Sequence, residues 1–109
     1  MQNNKILLYL GLARKAGKLA VGFAASKEAC QKNTAKFIAV ASDISAKSLK
    51  EIKYFSGGTI PVETVPFTIL EVSAAIGIKA GIVAVCDDGF AKTLVRLFES
   101  NKEEFTNAD

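Results

Sequence analysis

The stretch Phe37-Ile38-Ala39-Val40-Ala41, closed by Ser42-Asp43, decides the fold. Five apolar residues follow one another without alternation. A strand with one wet face would alternate polar and apolar side chains, so a short continuous run is expected where both faces are covered. A second such run, Gly81-Ile82-Val83-Ala84-Val85-Cys86, lies further along the chain. Where such strands alternate with helices along a chain, one sheet with helices on both faces is expected.

Helix and turn signals fill the space around these strands. Asn3 or Asn4 is placed to cap a helix over Lys5–Ala16, which Gly17 ends. Ile6, Leu7, Leu8, Leu10, Leu12 and Ala13 spread around that helix and predict burial on most sides. Leu19-Ala20-Val21 reads as a short strand. Gly22 then turns the chain into a second helix over about Ala24–Lys32, with Ala25 and Ala29 inward. Ser45 caps a third helix with Leu49, Ile52 and Phe55 inward and Lys47, Lys50 and Lys53 outside. Gly57-Gly58 stops it. Ile60–Val65 alternates and contains Pro61, as an edge strand does. Thr68 begins a fourth helix with Ile69, Val72 and Ile76 inward, ended by Gly77. Asp87-Asp88 caps a fifth, carrying Phe90, Leu94, Leu97 and Phe98. The order α-β-α-β-α-β-α-β-α predicts the α/β class. The expected architecture is a three-layer α/β/α sandwich whose central four-stranded mixed sheet carries helices on both faces.

The chain has 109 residues, half of them apolar and 23% charged, which suits one globular domain. We assign it to residues 1–98 and expect 99–109 to be an acidic, flexible tail. There is no histidine, which excludes Ser-His-Asp and Cys-His catalysis and every histidine-based metal site. Cys30 and Cys86 form no CxxC pair and are expected to be reduced core thiols. Neither GxGxxG nor a GxxxxGK[ST] phosphate loop occurs, so no cofactor is expected. Asp87-Asp88-Gly89 follows a buried strand, but helix capping accounts for it. The apolar run Ile6–Ala13 is too short to span a bilayer and is followed at once by Arg14 and Lys15. These features point to a cytoplasmic, monomeric protein without catalytic activity or membrane association.

Charge is unevenly placed. Residues 1–54 hold ten basic and three acidic groups, whereas residues 55–109 hold four basic and eight acidic groups. A basic half suits an anionic partner such as nucleic acid. Gly22 precedes a helix, so the backbone N–H groups of Phe23, Ala24 and Ala25 are expected to face outward and accept a phosphate. Ser26 lies in the same turn, and Lys18, Lys27, Lys32 and Lys36 are expected around it. A second loop, Val65-Pro66-Phe67-Thr68-Ile69, precedes another helix. Pro66 and Phe67 fall between elements and are expected to be exposed, as suits contact with an unstacked RNA base.

Several blocks carry a resemblance. These are Leu10-Gly11-Leu12-Ala13-Arg14-Lys15-Ala16-Gly17-Lys18 with Gly22, Ala35-Lys36 leading to Ala41-Ser42-Asp43, Ala75-Ile76-Gly77, and Val83-Ala84-Val85 with Asp87-Asp88-Gly89-Phe90-Ala91. Through them the chain resembles the kink-turn-binding superfamily of ribosomal proteins seven-Ae and thirty-e, nearest its small bacterial YlxQ-type members. The similarity spans about residues 5–98. It implies an RNA-binding, ribosome-associated protein whose partners are structured RNA, ribosomal RNA among them, and ribosomal proteins. In kink-turn binders the glycine loop reads Gly-x-Asn-Glu-x-x-Lys. Here the aligned stretch is Gly22-Phe23-Ala24-Ala25-Ser26-Lys27-Glu28. Gly22 matches, while Ala24, Ala25 and Glu28 replace the amide, acid and lysine. Recognition is therefore expected to be altered. The alternative is a protein-interaction module on the same fold that has lost kink-turn binding, using Phe23-Ala24-Ala25 beside Pro66-Phe67.

Overall fold

A computed structural model describes the backbone of Gln2–Asn107 and the side chains of residues 5–100. Nine elements alternate along it: α1 (Gln2–Lys15), β1 (Leu19–Val21), α2 (Phe23–Gln31), β2 (Phe37–Val40), α3 (Ala46–Ser56), β3 (Val62–Thr64), α4 (Ile69–Ile76), β4 (Ile82–Val85) and α5 (Asp88–Asn107). The strands form one four-stranded sheet in the order β1-β4-β2-β3. β4 runs antiparallel to both β1 and β2, and β3 runs parallel to β2, so the sheet is mixed. The two continuous apolar runs are its central strands, and every residue of each is buried.

Both faces are covered because side chains alternate across the sheet. Phe37, Ala39, Val83 and Val85 pack with Ile6 and Leu10 of α1, Val72 and Ile76 of α4 and Leu94 and Phe98 of α5. Ile38, Val40, Ile82 and Ala84 pack with Ala29 and Cys30 of α2 and Ile52 of α3. The three-layer α/β/α arrangement follows directly.

Helix ends match the local chemistry. Lys18 N–H donates to the Ala13 carbonyl at 2.9 Å and Gly17 N–H to the Arg14 carbonyl at 3.0 Å, which closes α1. Ser45 Oγ accepts from Ser48 N–H at the start of α3. Thr68 and Glu71 form a reciprocal capping box at the start of α4. Asp87 Oδ2 accepts from Phe90 N–H at 2.9 Å, so the Asp87-Asp88 pair caps α5 as expected.

Two details depart from the sequence reading. Leu8 and Leu12 are exposed rather than buried, because α1 lies in an outer layer and packs inward through Ile6, Leu10 and Ala13. Ser26 is buried in α2, whereas Ala25 is only half-buried. The α5 backbone extends to Asn107, and residues 108–109 of the stretch assigned to a tail lie outside the described residues.

Candidate nucleic-acid interface

Strand directions divide the sheet into two ends, and the loops sort between them. Gly22 N–H donates to the Ile82 carbonyl and Ala41 N–H to the Gly81 carbonyl, both at 2.8 Å. Ser42 N–H donates to the Phe67 carbonyl at 2.7 Å. One end of the sheet therefore gathers the Gly22 turn, the Ser42-Asp43 turn, the Pro66-Phe67 loop and the Gly77–Gly81 loop. At the other end, Cys86 N–H donates to the Lys18 carbonyl and Lys36 N–H to the Val85 carbonyl.

This sorting corrects the expected basic ring. Lys18 and Lys36 lie across the sheet from Gly22, and Lys32 closes the C-terminal end of α2. Lys32 also pairs with Glu28 at 3.7 Å. Lys36 lines a cleft of about 380 Å³ with Asp88, Lys92 and Arg96. Of the four lysines, only Lys27 stays beside the glycine turn.

The turn itself has the anticipated form. Gly22 has φ 95° and ψ 167°, a region that L side chains rarely enter. A Cβ built there meets nothing within 4 Å. The glycine is thus required by the backbone conformation and leaves open space in front of it. The first intrahelical bond of α2 runs from Ser26 N–H to the Gly22 carbonyl at 3.0 Å, and no side chain caps the helix. The N–H groups of Phe23, Ala24 and Ala25 precede that bond and carry the positive end of the helix dipole. Ser26 Oγ is fully buried and has no hydrogen-bond partner among the described residues, so it belongs to the α2 packing rather than to the surface.

The second loop behaves differently. Phe67 is 7% exposed, not a projecting ring, and Val65 is fully buried. Val65 N–H pairs with the Val40 carbonyl, and Phe67 is tied through its own carbonyl to Ser42, which draws its ring into the α1/α4/α5 core. Only Pro66 of Val65–Ile69 is exposed, while Thr68 and Ile69 are half-buried. The α4 N-terminus is also filled. Thr68 N–H donates to Glu71 Oε1 at 2.9 Å and Ile69 N–H to Asp43 Oδ1 at 2.8 Å. Two carboxylates at that helix start repel phosphate. Three helices start at this end, and α2 alone among them lacks a side-chain cap: Ser45 caps α3, and the two carboxylates close α4.

The structure adds residues that sequence reasoning did not select. Ile78 and Lys79 are exposed in the Gly77–Gly81 loop, which leads directly into the strand residue bonded to Gly22. An apolar residue and a lysine between two glycines just before a buried strand were the available signal. Arg14 Nη1 donates to the Ile76 carbonyl at 2.9 Å and ties the end of α4, just before this loop, to α1. Tyr54 and Phe55 of α3 form a second addition. Phe55 meets Phe23 edge-on at 6.4 Å between centroids, and Lys27 Nζ lies 4.7 Å from the Phe55 centroid. No sequence spacing foretold that contact between α2 and α3.

Other chemistry is not assembled. Among the described residues no group of three or more His, Cys, Asp or Glu could hold a metal ion. Burial pushes the Cys30 thiol above its ordinary value, with nearby Cys86 adding to the shift, so Cys30 is a neutral core thiol. Among the described residues no helix is long and apolar enough to cross a membrane. An open groove of about 720 Å³ runs along α4 between Ile69, Leu70, Ala74 and Ile78, with Asp43 and Lys79 at its margin.

Comparison with known proteins agrees with this architecture. The chain is 31% identical over 96 residues to the RNA-binding protein YlxQ of Enterococcus faecium, covering 87% of this chain and 92% of that relative. A solved protein with unknown function from Bacillus halodurans superposes with a TM-score of 0.81 at 29% identity, covering 87% of this chain and 97% of the other. The Giardia lamblia 15.5kD RNA binding protein superposes with a TM-score of 0.76 at 8% identity, over 91% of this chain and 86% of the other, a likeness of fold alone. The model of the ribosomal protein L7Ae/L30e/S12e/Gadd45 family matches residues 4–95, most of the described chain, and the protein belongs to that family.

Proposed function

We propose that the protein is a cytoplasmic, ribosome-associated binder of structured RNA. It acts without a cofactor, through the end of the sheet that carries Gly22. The observation that carries this reading is the uncapped α2 N-terminus, with open space before Gly22 and Lys27 one turn inside the helix. A phosphate seats on the N–H groups of Phe23–Ala25, and Lys27 and Lys79 neutralise its neighbours. Ile78 supplies an apolar contact at the same edge. The relative from Enterococcus faecium, named as RNA-binding, supports the assignment.

Recognition on this reading differs from a side-chain readout of base edges. Ala24 and Ala25 have no hydrogen-bonding side chain, and Glu28 is turned to Lys32. Selectivity then comes from RNA shape and from the placement of phosphates along the turn. A gel-shift titration with a kink-turn RNA and an unkinked duplex, at two salt concentrations, tests it. Tight binding to the kink-turn alone is the expected result. Equal, weak, salt-sensitive binding to both reduces the face to a generic cation surface, and no binding to either refutes the reading.

A second reading, a protein-interaction module, is favoured by one observation. Leu70 is 80% exposed beside Ile78 in the α4 groove, and apolar surface of that kind suits a protein contact.

A further inference from the structure

We propose that the outward face of α3 is a track for an unpaired segment of the bound RNA, with Tyr54 as the platform on which a nucleobase stacks. The inference rests on the function proposed above and names a contact outside the glycine turn. Tyr54 is 79% exposed and belongs to neither hydrophobic cluster, so packing does not account for an aromatic residue there. Its ring meets Phe55 at 5.3 Å between centroids with the planes 82° apart. That contact props the ring from one side and leaves a π face to solvent. Its hydroxyl makes no hydrogen bond among the described residues.

The surroundings favour a polyanion over a protein. Lys47, Lys50 and Tyr54 follow at i, i+3 and i+7 and share one exposed face of α3. Glu51 is the carboxylate on that face. Neither lysine has a salt-bridge partner within 4 Å among the described residues. The ring series continues from Tyr54 through Phe55 to Phe23, the first residue of α2, and Lys27 covers Phe55. The aromatic array therefore ends on the helical turn whose N–H groups are open. A strand with one phosphate on that turn places a nearby base over Tyr54 and further phosphates along Lys50 and Lys47. Cations interleaved with an exposed ring are the arrangement by which unpaired bases are held without sequence readout.

The chain contains no tryptophan and only two tyrosines, Tyr9 and Tyr54, so emission can be assigned. In a Tyr9→Phe background, Tyr54 is the sole tyrosine emitter. The probes are a kink-turn RNA with unpaired nucleotides, the same RNA made abasic at those nucleotides, and an unkinked duplex. Binding is followed in parallel by the anisotropy of labelled RNA. Tyr54 emission is expected to be quenched by the first RNA and not by the abasic one. Tyr54→Leu should weaken binding of the first RNA by about 5- to 150-fold, and Tyr54→Phe should restore it. Unchanged emission while the RNA binds overturns the proposal and leaves the glycine-turn reading standing. Wild-type affinity in Tyr54→Leu does the same and leaves the ring to a protein partner. Equal losses on the intact and abasic RNAs also overturn it, since no base is then involved. Absence of binding by every RNA overturns both readings.

Discussion

Gly11→Ala tests how tightly the helical layer fixes the Gly77–Gly81 loop. Gly11 lies inside α1, where alanine is the better helix former by about 1 kcal/mol, so an isolated helix would gain from the change. In the folded protein the added Cβ would sit 2.8 Å from the carbonyl oxygen of Ala75 in α4. The obstacle is backbone and cannot rotate away. α1 must therefore withdraw from α4, loosening Leu10 against Val72 and Ile76 and stretching the 2.9 Å bond from Arg14 to the Ile76 carbonyl. Overpacking of this kind costs about 1–3 kcal/mol, which exceeds the propensity gain and leaves a net loss of about 1 kcal/mol. For a domain of this size the midpoint of thermal unfolding should fall by about 4–8 °C. Urea unfolding should show the same loss as a lower midpoint with an unchanged slope. A variant as stable as the parent would refute the close approach of the two helices.

Four further outcomes follow from named contacts. Lys27→Ala should reduce the slope of log affinity against log salt by about 0.7–0.9 for the RNA of the gel-shift assay, whereas Lys36→Ala, at the other end of the sheet, should leave it unchanged. Ser26→Ala should raise stability by about 0.5–1 kcal/mol in urea unfolding, because it removes a buried hydroxyl without a partner and improves helix propensity. Thr68→Ala breaks the capping box of α4 and should lower stability by about 1 kcal/mol in the same assay. In the native protein iodoacetamide should label Cys86 before Cys30. The raised Cys30 value means that its reaction speeds up only at pH above the range where an unfolded thiol ionises.

The fold was legible because its strongest signals were local. Phe37–Ala41 and Ile82–Val85 read as doubly covered strands and are the central strands of the sheet, and Ser45, Thr68, Gly57 and Gly77 mark helix ends in the structure as they do in the sequence. The candidate site was legible only in part, because proximity along the chain is not proximity in space. Lys18 and Gly22 are four positions apart, yet the strand Leu19–Val21 runs between them and delivers them to opposite ends of the sheet. Phe67 follows a proline in a loop, which suggests exposure, but its bonded carbonyl and the neighbouring core draw it inside. The meeting of Phe23, Phe55 and Lys27 depends on how α2 crosses α3, and neither helix encodes that angle by itself.

The position of β4 has a consequence for synthesis. Among the described residues Ile82–Val85 is the last strand to be made, yet it sits between β1 and β2 and is the one strand there that pairs with β1. While the chain emerges from the ribosome, Leu19–Val21 has nothing to pair with and one edge of Phe37–Val40 stays open. The β2–β3 pair can form earlier, but completion of the sheet is deferred until β4 has been made and has emerged, a late and non-local closure. Until then the nascent chain carries an unpaired apolar strand, and any truncation before residue 82 leaves it permanently unpaired on that edge.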